Sequence, residues 1–302
     1  MKVFDLHCDT IGECYKQGKK LKGNDLHICL DRAGRFERYT QVFAIWIPDE
    51  YRGETAVNYF NNVANYFYKE IEENKNTVSM YSEASETPCK AILAVEGGSA
   101  CGNSIEGLLH LYNRGVRAIT LTWNDRNEIA GGAFSEGGFT DFGKEFVKEC
   151  HNLGIVIDVS HLNRESFSEL CDLYDGTFIA THSNADIVDN EYARKRNLTD
   201  EQISVIRERK GLIGLNFCRD FLHVGDECGA EGVYNQVVYF LERGCQDIIA
   251  LGSDYDGCTV DSDVNGVETL RYLYNYLLNK GLSPNIVDKI FYENAERFFS
   301  EI

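Results

Sequence analysis

Short apolar runs recur along the chain, most of them separated by stretches long enough for a helix. They are Val3–Cys8, Thr40–Ile47, Ala91–Val95, Val116–Trp123, Ile155–Ser160, Phe178–Thr181, Leu212–Phe217 and Ile248–Gly252. Each is nearly continuous in apolar residues, as expected of parallel strands covered on both faces. The segments between them carry a helical period. Glu54–Ile71 places Val57, Phe60, Val63, Ala64 and Phe67 on one face, and Thr140–Leu153 repeats Phe142, Phe146, Val147 and Cys150. Asn163–Leu173, Thr199–Arg209, Val233–Arg243 and Val267–Leu278 read similarly, and Thr199 followed by Gln202 fits a capping box. Eight strands alternating with helices predict an α/β chain folded as a parallel (β/α)8 barrel. A doubly wound open sheet needs no eighth strand and calls for a Gly-rich phosphate turn after the first strand, which the sequence lacks. No linker or low-complexity segment divides the chain, so residues 1–302 are expected to form a single barrel domain.

Composition removes several classes of partner. The chain carries 30 Lys and Arg against 48 Asp and Glu, a net charge of −18, which opposes a nucleic-acid backbone or an anionic membrane surface. The opening MKVFDLHCDTIGE lacks the apolar core of a signal peptide, and no apolar run reaches the ~18 residues of a membrane span. Eleven cysteines without a CxxC pair, in a chain too long to need disulfide staples, fit reduced thiols. A soluble cytoplasmic protein is expected, with neither nucleic acid nor membrane as partner.

Barrel enzymes place their chemistry where the strands end. The first predicted strand ends in His7-Cys8-Asp9, with His7 and Asp9 two residues apart and so facing the same way. The third ends in Glu96, the fifth in His161, the sixth in His182 and the eighth in Asp254. Taken singly, each has a plain structural reading: a buried His–Asp pair, a rim histidine, a tight turn at Glu96-Gly97-Gly98. Together on one rim, these imidazoles and carboxylates suit a borderline divalent cation such as zinc. Three histidines and two carboxylates exceed the ligands of one catalytic ion that also holds water. Two ions accommodate them, with His7 and Asp9 on one, His161 and His182 on the other, and Glu96 bridging. Such a pair would clamp a hydroxide and polarise a carbonyl, with Asp254 shuttling a proton to the leaving group. His27, His110, His151 and His223 read as surface or packing residues, and Asp158 as a group that orients its neighbours.

Seven ordered motifs carry a resemblance. They are DLHCDT at Asp5–Thr10, AVEGG at Ala94–Gly98, ITLTWN at Ile119–Asn124, IDVSH at Ile157–His161, THSNA at Thr181–Ala185, RKRNLTD at Arg194–Asp200 and GSDYDG at Gly252–Gly257. Together they resemble the membrane (renal) dipeptidase family, binuclear zinc peptidases of the amidohydrolase superfamily. The resemblance implies a distorted (β/α)8 barrel, two Zn2+ per chain bridged by Glu96, and a homodimer. It implies Arg196 as the binder of the terminal carboxylate of a dipeptide substrate, and Asp254 as the group that handles the proton of the departing amine. Family members often accept a D-residue at the C-terminal position. Trp123 stands where mammalian members have a histidine that contacts the reacting carbonyl; indole donates one hydrogen bond and takes up no proton. Asn124 or the metals are the substitutes open to that role, and Gly131–Gly138 is expected to form a flap near the substrate. Two rival readings stand beside the dipeptidase: a binuclear hydrolase of lactams, lactones or other cyclic amides, and a non-catalytic metal- or peptide-binding barrel.

Overall fold

The computed structural model describes residues 1–223 and 229–301. Its sheet is built from β1 (Lys2–Cys8), β2 (Arg38–Trp46), β3 (Val78–Met80), β4 (Cys89–Glu96), β5 (Val116–Thr120), β6 (Val156–Asp158), β7 (Ile213–Leu215) and β8 (Ile249–Leu251). The order is β6-β5-β4-β2-β1-β8-β7, all parallel, with β3 beside the start of β4. The circle closes through residues 178–181, the expected sixth strand, which is reduced to single bridges from Ile179 to Asp158 and from Ala180 to Ile213. Its shortness has a local cause: the carboxylate of Asp158 takes the Thr181 N–H at 2.9 Å, replacing a ladder bond with a side chain. The result is a distorted (β/α)8 barrel. The staves there are so close that a Cβ at Gly214 or Gly252 would lie 1.8 Å from the Thr181 carbonyl oxygen, so only glycine fits.

Alternate residues of the strands divide the core. Phe4, Leu6, Val42, Ile92, Ala94, Ala118, Val156, Ile179, Leu212 and Ala250 form one buried cluster with Ala295 and Phe299. Phe299, from the helix Asn294–Ser300, stacks on Phe4 at 5.2 Å and plugs the barrel where the strands begin. The opposite strand faces, with Val3, Tyr39, Phe43, Leu93 and Ile119, pack against the surrounding helices. The floor is therefore apolar, and the polar residues are left to the other rim.

The predicted helices form with small changes of boundary: Gly53–Glu73, Asp141–Leu153, Arg164–Leu173, Asp200–Glu208, Gly229–Glu242 and Leu270–Asn279. Thr140 and Asn163 cap theirs, and Thr199 with Gln202 makes the capping box. Gly229–Glu242 starts earlier than its apolar period because the Asp263 carboxylate accepts the N–H groups of Gly229 and Ala230, both at 3.0 Å. The helices Thr10–Gln17, Ile105–Asn113 and Glu191–Arg196 were not expected from the pattern. No helix among the described residues is long and apolar enough to cross a membrane. The ten cysteines among the described residues are all unpaired.

Candidate active site

The strand ends bring His7, Asp9, Glu96, His161, His182 and Asp254 together, though not all from strand positions. β1 stops at Cys8, and Asp9 is the residue that leads into the helix Thr10–Gln17. The pair still meets, with His7 Nε2 3.4 Å from Asp9 Oδ2. β6 stops at Asp158, so His161 is three residues beyond the strand, in a left-handed conformation at φ +68°. Asp254 is likewise left-handed, at φ +59°. Such backbone costs roughly 1–3 kcal/mol for a residue with a side chain and persists where surrounding bonds over-determine it. Here they do: the Thr122 hydroxyl donates to the His161 carbonyl at 3.1 Å, and the Asp254 N–H to the His7 carbonyl at 3.2 Å.

Glu96 sits at the centre, and its two oxygens face opposite ways. Oε1 is 2.8 Å from His161 Nε2 and 3.4 Å from His182 Nε2, while Oε2 is 3.7 Å from His7 Nε2. His161 Nε2 and His182 Nε2 are themselves 2.9 Å apart. Each ring's other nitrogen already has a neighbour: His161 Nδ1 is 3.0 Å from Asn124 Oδ1, and His182 Nδ1 is 2.8 Å from Thr181 Oγ1. Three overlapping triads could each hold an ion: His7, Asp9 and Glu96; Glu96, His161 and His182; His7, His182 and Asp254. His7 Nε2 and Asp9 Oδ1 are buried without a hydrogen-bond partner. Buried polar atoms without partners, converging from imidazole and carboxylate, fit a cation of the zinc type.

Burial and the crowding of charged neighbours set the protonation tendencies of the cluster. Burial pushes the Glu96 carboxyl well up, aided by Asp9 and Asp254 and opposed by His7. Burial also raises Asp254, to about 6. His161 and His182 are pushed well down, first by burial and then by neighbouring positive groups. His7 goes the other way: burial alone would lower it, but Glu96, Asp9 and Asp254 around it lift it to about 10. The cluster gathers positive charge onto the one imidazole ringed by carboxylates.

A cavity of about 350 Å³ opens over these groups. Trp123 lines it, from a loop and not from the strand: β5 ends at Thr120, where Gly98 N–H and Asn127 Nδ2 take the Leu121 carbonyl. Its ring meets Trp46 edge-on at 4.9 Å and stands 6.3 Å from that of His161, so it is wall beside the cluster. Arg196, from the helix Glu191–Arg196, is 4% exposed. Its Nη2 donates to the His182 carbonyl at 3.4 Å, its guanidinium lies over Phe221 at 5.4 Å, and its Nε has no partner. The expected flap at 131–138 is fastened: Asn163 Nδ2 donates to the Ser135 and Gly137 carbonyls, both at 3.0 Å, and Arg126 to the Gly138 carbonyl at 2.9 Å.

Sequence reading left Asn216 and Asp5 unassigned. Asn216, one residue past β7, donates from Nδ2 to Asp254 Oδ2 at 3.1 Å and to the His182 carbonyl at 3.2 Å. Its place at a strand end was the available signal. Asp5 holds the Ser253 N–H at 2.9 Å and the Ser253 hydroxyl, bracing the turn before Asp254; its position inside a strand gave no sign of this. Asp256, which lines the cavity, is occupied by the N–H of His27 at 2.7 Å and by the Thr10 hydroxyl.

The chain matches the profile of "Membrane dipeptidase (Peptidase family M19)" over residues 1–302. A Klebsiella pneumoniae relative, the "uncharacterized protein in pqqA 5'region", is 30% identical over 220 residues, 69% of this chain and 80% of its own. Among solved structures, a metallo peptidase from Rhodobacter sphaeroides, liganded with a phosphinate mimic of the dipeptide L-Ala-D-Ala, aligns at TM-score 0.90. It is 26% identical, and the match covers 99% of each chain. A second, dipeptidase AC, aligns at TM-score 0.89 with 27% identity over 99% of this chain and 98% of that one. With the barrel and its rim of histidines and carboxylates already in view, the profile match places this chain in the membrane dipeptidase family, peptidase family M19, as a metallodipeptidase.

Proposed function

We propose that the protein is a two-zinc dipeptidase for dipeptides with a free C-terminal carboxylate, including those ending in a D-residue. His7 and Asp9 would hold one ion and His161 and His182 the other, with Glu96 shared. The observation that carries the substrate class is Arg196. A buried guanidinium whose Nε has no partner, and which forms no ion pair among the described residues, is reserved for an anion that arrives from outside. The L-Ala-D-Ala mimic held by the Rhodobacter sphaeroides relative supports the C-terminal D-residue.

Bound zinc would supply Lewis acidity toward the scissile carbonyl and acidify the attacking water at neutral pH. The rest of the work falls to the chain. Arg196 fixes one end of the substrate, so the peptide carbonyl falls over Glu96 and the histidines. Asn216 occupies Asp254 Oδ2, which leaves Oδ1, 3.9 Å from His7 Nε2, facing the cluster. Oδ1 is thus free to take a proton from the attacking water and pass it to the departing amine. Trp46 and Trp123 form an apolar wall that thins the water around these charges.

The test is turnover of L-L, L-D and Gly-D dipeptides with zinc, beside the same dipeptides as C-terminal amides. Free amino acids should be released from the acids and hardly from the amides. Release from none of them overturns the dipeptidase reading, and equal turnover of the amides overturns the role given to Arg196.

A further inference from the structure

We infer that Thr181 is a positioning residue whose single hydroxyl sets the tautomer of one histidine on each proposed ion, His182 and His7. The inference rests on the two-ion reading above. It starts from Asp158, which is buried and surrounded by donors. Oδ1 accepts the N–H groups of Ser160 and Thr181, both at 2.9 Å. Oδ2 accepts the hydroxyls of Thr120 and Thr181, both at 2.6 Å. With four donors on its two oxygens, Asp158 acts here as an acceptor only. The hydrogen of the Thr181 hydroxyl is thereby committed to Asp158.

The Thr181 oxygen then has only lone pairs to offer. His182 Nδ1, 2.8 Å away, must carry a hydrogen to bond with it, and this leaves His182 Nε2 bare on the side facing Glu96 and His161. His7 Nδ1, at 3.5 Å, meets the same oxygen with a longer contact, and its Nε2 faces Asp9 and Glu96. The rings of His7 and His182 lie 3.8 Å apart, centre to centre, which brings both Nδ1 atoms to one hydroxyl. His161 is set separately, by Asn124. A metal needs the bare nitrogen, and the group on the other nitrogen decides which one is bare. Thr181 is thus a shared support for two ligands that belong to different ions.

Thr181→Val removes the hydroxyl at nearly constant volume, and Thr181→Ser restores it. In a zinc titration against a chromophoric chelator, the valine variant should bind both equivalents about 10–100-fold more weakly than wild type. The serine variant should return to within about threefold, whereas Asn124→Ala should weaken one equivalent only. Nitrogen-15 NMR of the metal-free protein supplies a readout independent of metal and of activity. In wild type and the serine variant, His182 should carry its hydrogen on Nδ1; in the valine variant it should divide between tautomers. Wild-type zinc affinity at both equivalents in Thr181→Val overturns the inference, as does a wild-type His182 protonated on Nε2. A wild type that binds no zinc overturns the two-ion reading and the shared-ligand role with it, while the NMR still decides the tautomer. That measurement also decides it if the valine variant fails to fold.

Discussion

His161 Nε2 and His182 Nε2 lie 2.9 Å apart, although each ring's other nitrogen is engaged with an oxygen that can accept a hydrogen. Two lone pairs at that distance, with Glu96 Oε1 beside them, form a set of donors that one cation could share. A cation held there would stabilise the folded state over the unfolded one. Zinc added to the EDTA-treated protein should raise its melting midpoint by about 5 °C or more at saturating metal. His182→Ala should remove a large part of that gain. A midpoint indifferent to zinc would remove metal from the account of this cluster.

Arg196 gives a kinetic prediction. Arg196→Ala should raise KM for dipeptide acids strongly and lower kcat/KM by about 10²–10³, on the scale of two charge-assisted hydrogen bonds. Arg196→Lys keeps the charge but loses the fork, so it should fall between the two. Zinc content should stay at the wild-type level in both. An unchanged KM would favour a substrate without a carboxylate, such as a lactam or lactone.

Asp254 should separate catalysis from binding. Asp254→Asn should reduce kcat by about 10²–10⁴, leave KM within a few fold, and retain metal. The same residue has a stability consequence in the metal-free chain. Its folded pKa, about 6, lies above the ordinary 3.8, so the folded state binds this proton more tightly than the unfolded state does. The contribution is fully present below pH 3.8 and is lost as pH rises through about 6, amounting to about 3 kcal/mol at most. His7, raised from 6.5 to about 10, acts in the same direction over a higher window: its contribution is present below 6.5 and lost toward 10. Urea midpoints of the EDTA-treated wild type and Asp254→Asn, compared from pH 4 to 7, measure the first window. Parallel curves for the two proteins would contradict it.

Gly257 is wedged between two site carboxylates. A Cβ there would lie 2.1 Å from Asp9 Oδ2 and 2.5 Å from Asp254 Oδ1. Gly257→Ala must displace one or both, so activity should drop by at least tenfold and zinc affinity at the His7–Asp9 side should weaken. The metal-free fold should survive, as judged by circular dichroism, because the displaced groups line a cavity and not the core. Wild-type activity in Gly257→Ala would show that Asp9 and Asp254 tolerate more movement than their crowding implies.

The barrel and its chemistry were legible in the sequence to different depths. Uninterrupted apolar runs mark strands buried on both faces, and seven of the eight appear as ladders. The exception, 178–181, has the composition of a strand but loses its ladder to the Asp158 side chain, an event with no periodicity to announce it. His7, Asp9, Glu96, His161, His182 and Asp254 were singled out as candidates because barrel ends concentrate function, and the fold brings them together. The left-handed turns that aim His161 and Asp254 were invisible, since nothing in local spacing marks a non-glycine residue held at positive φ. Thr181, Asn124 and Asn216 were missed as supports for a related reason: common polar residues gain their roles only from the neighbours that closure supplies.

The thin sixth stave carries one more implication. His182 follows directly on the segment where the wall is held by isolated bridges, while Glu96 ends β4, one of the longest strands, and His161 lies between them. An ion held by Glu96, His161 and His182 would act as a keystone, tying the weakest seam of the barrel to its firmest stave. Amide hydrogen exchange along 178–183 should then follow the occupancy of that site. The protection of that one seam would then be set by the metal supply as well as by the core, while the rest of the wall stands on its ladders.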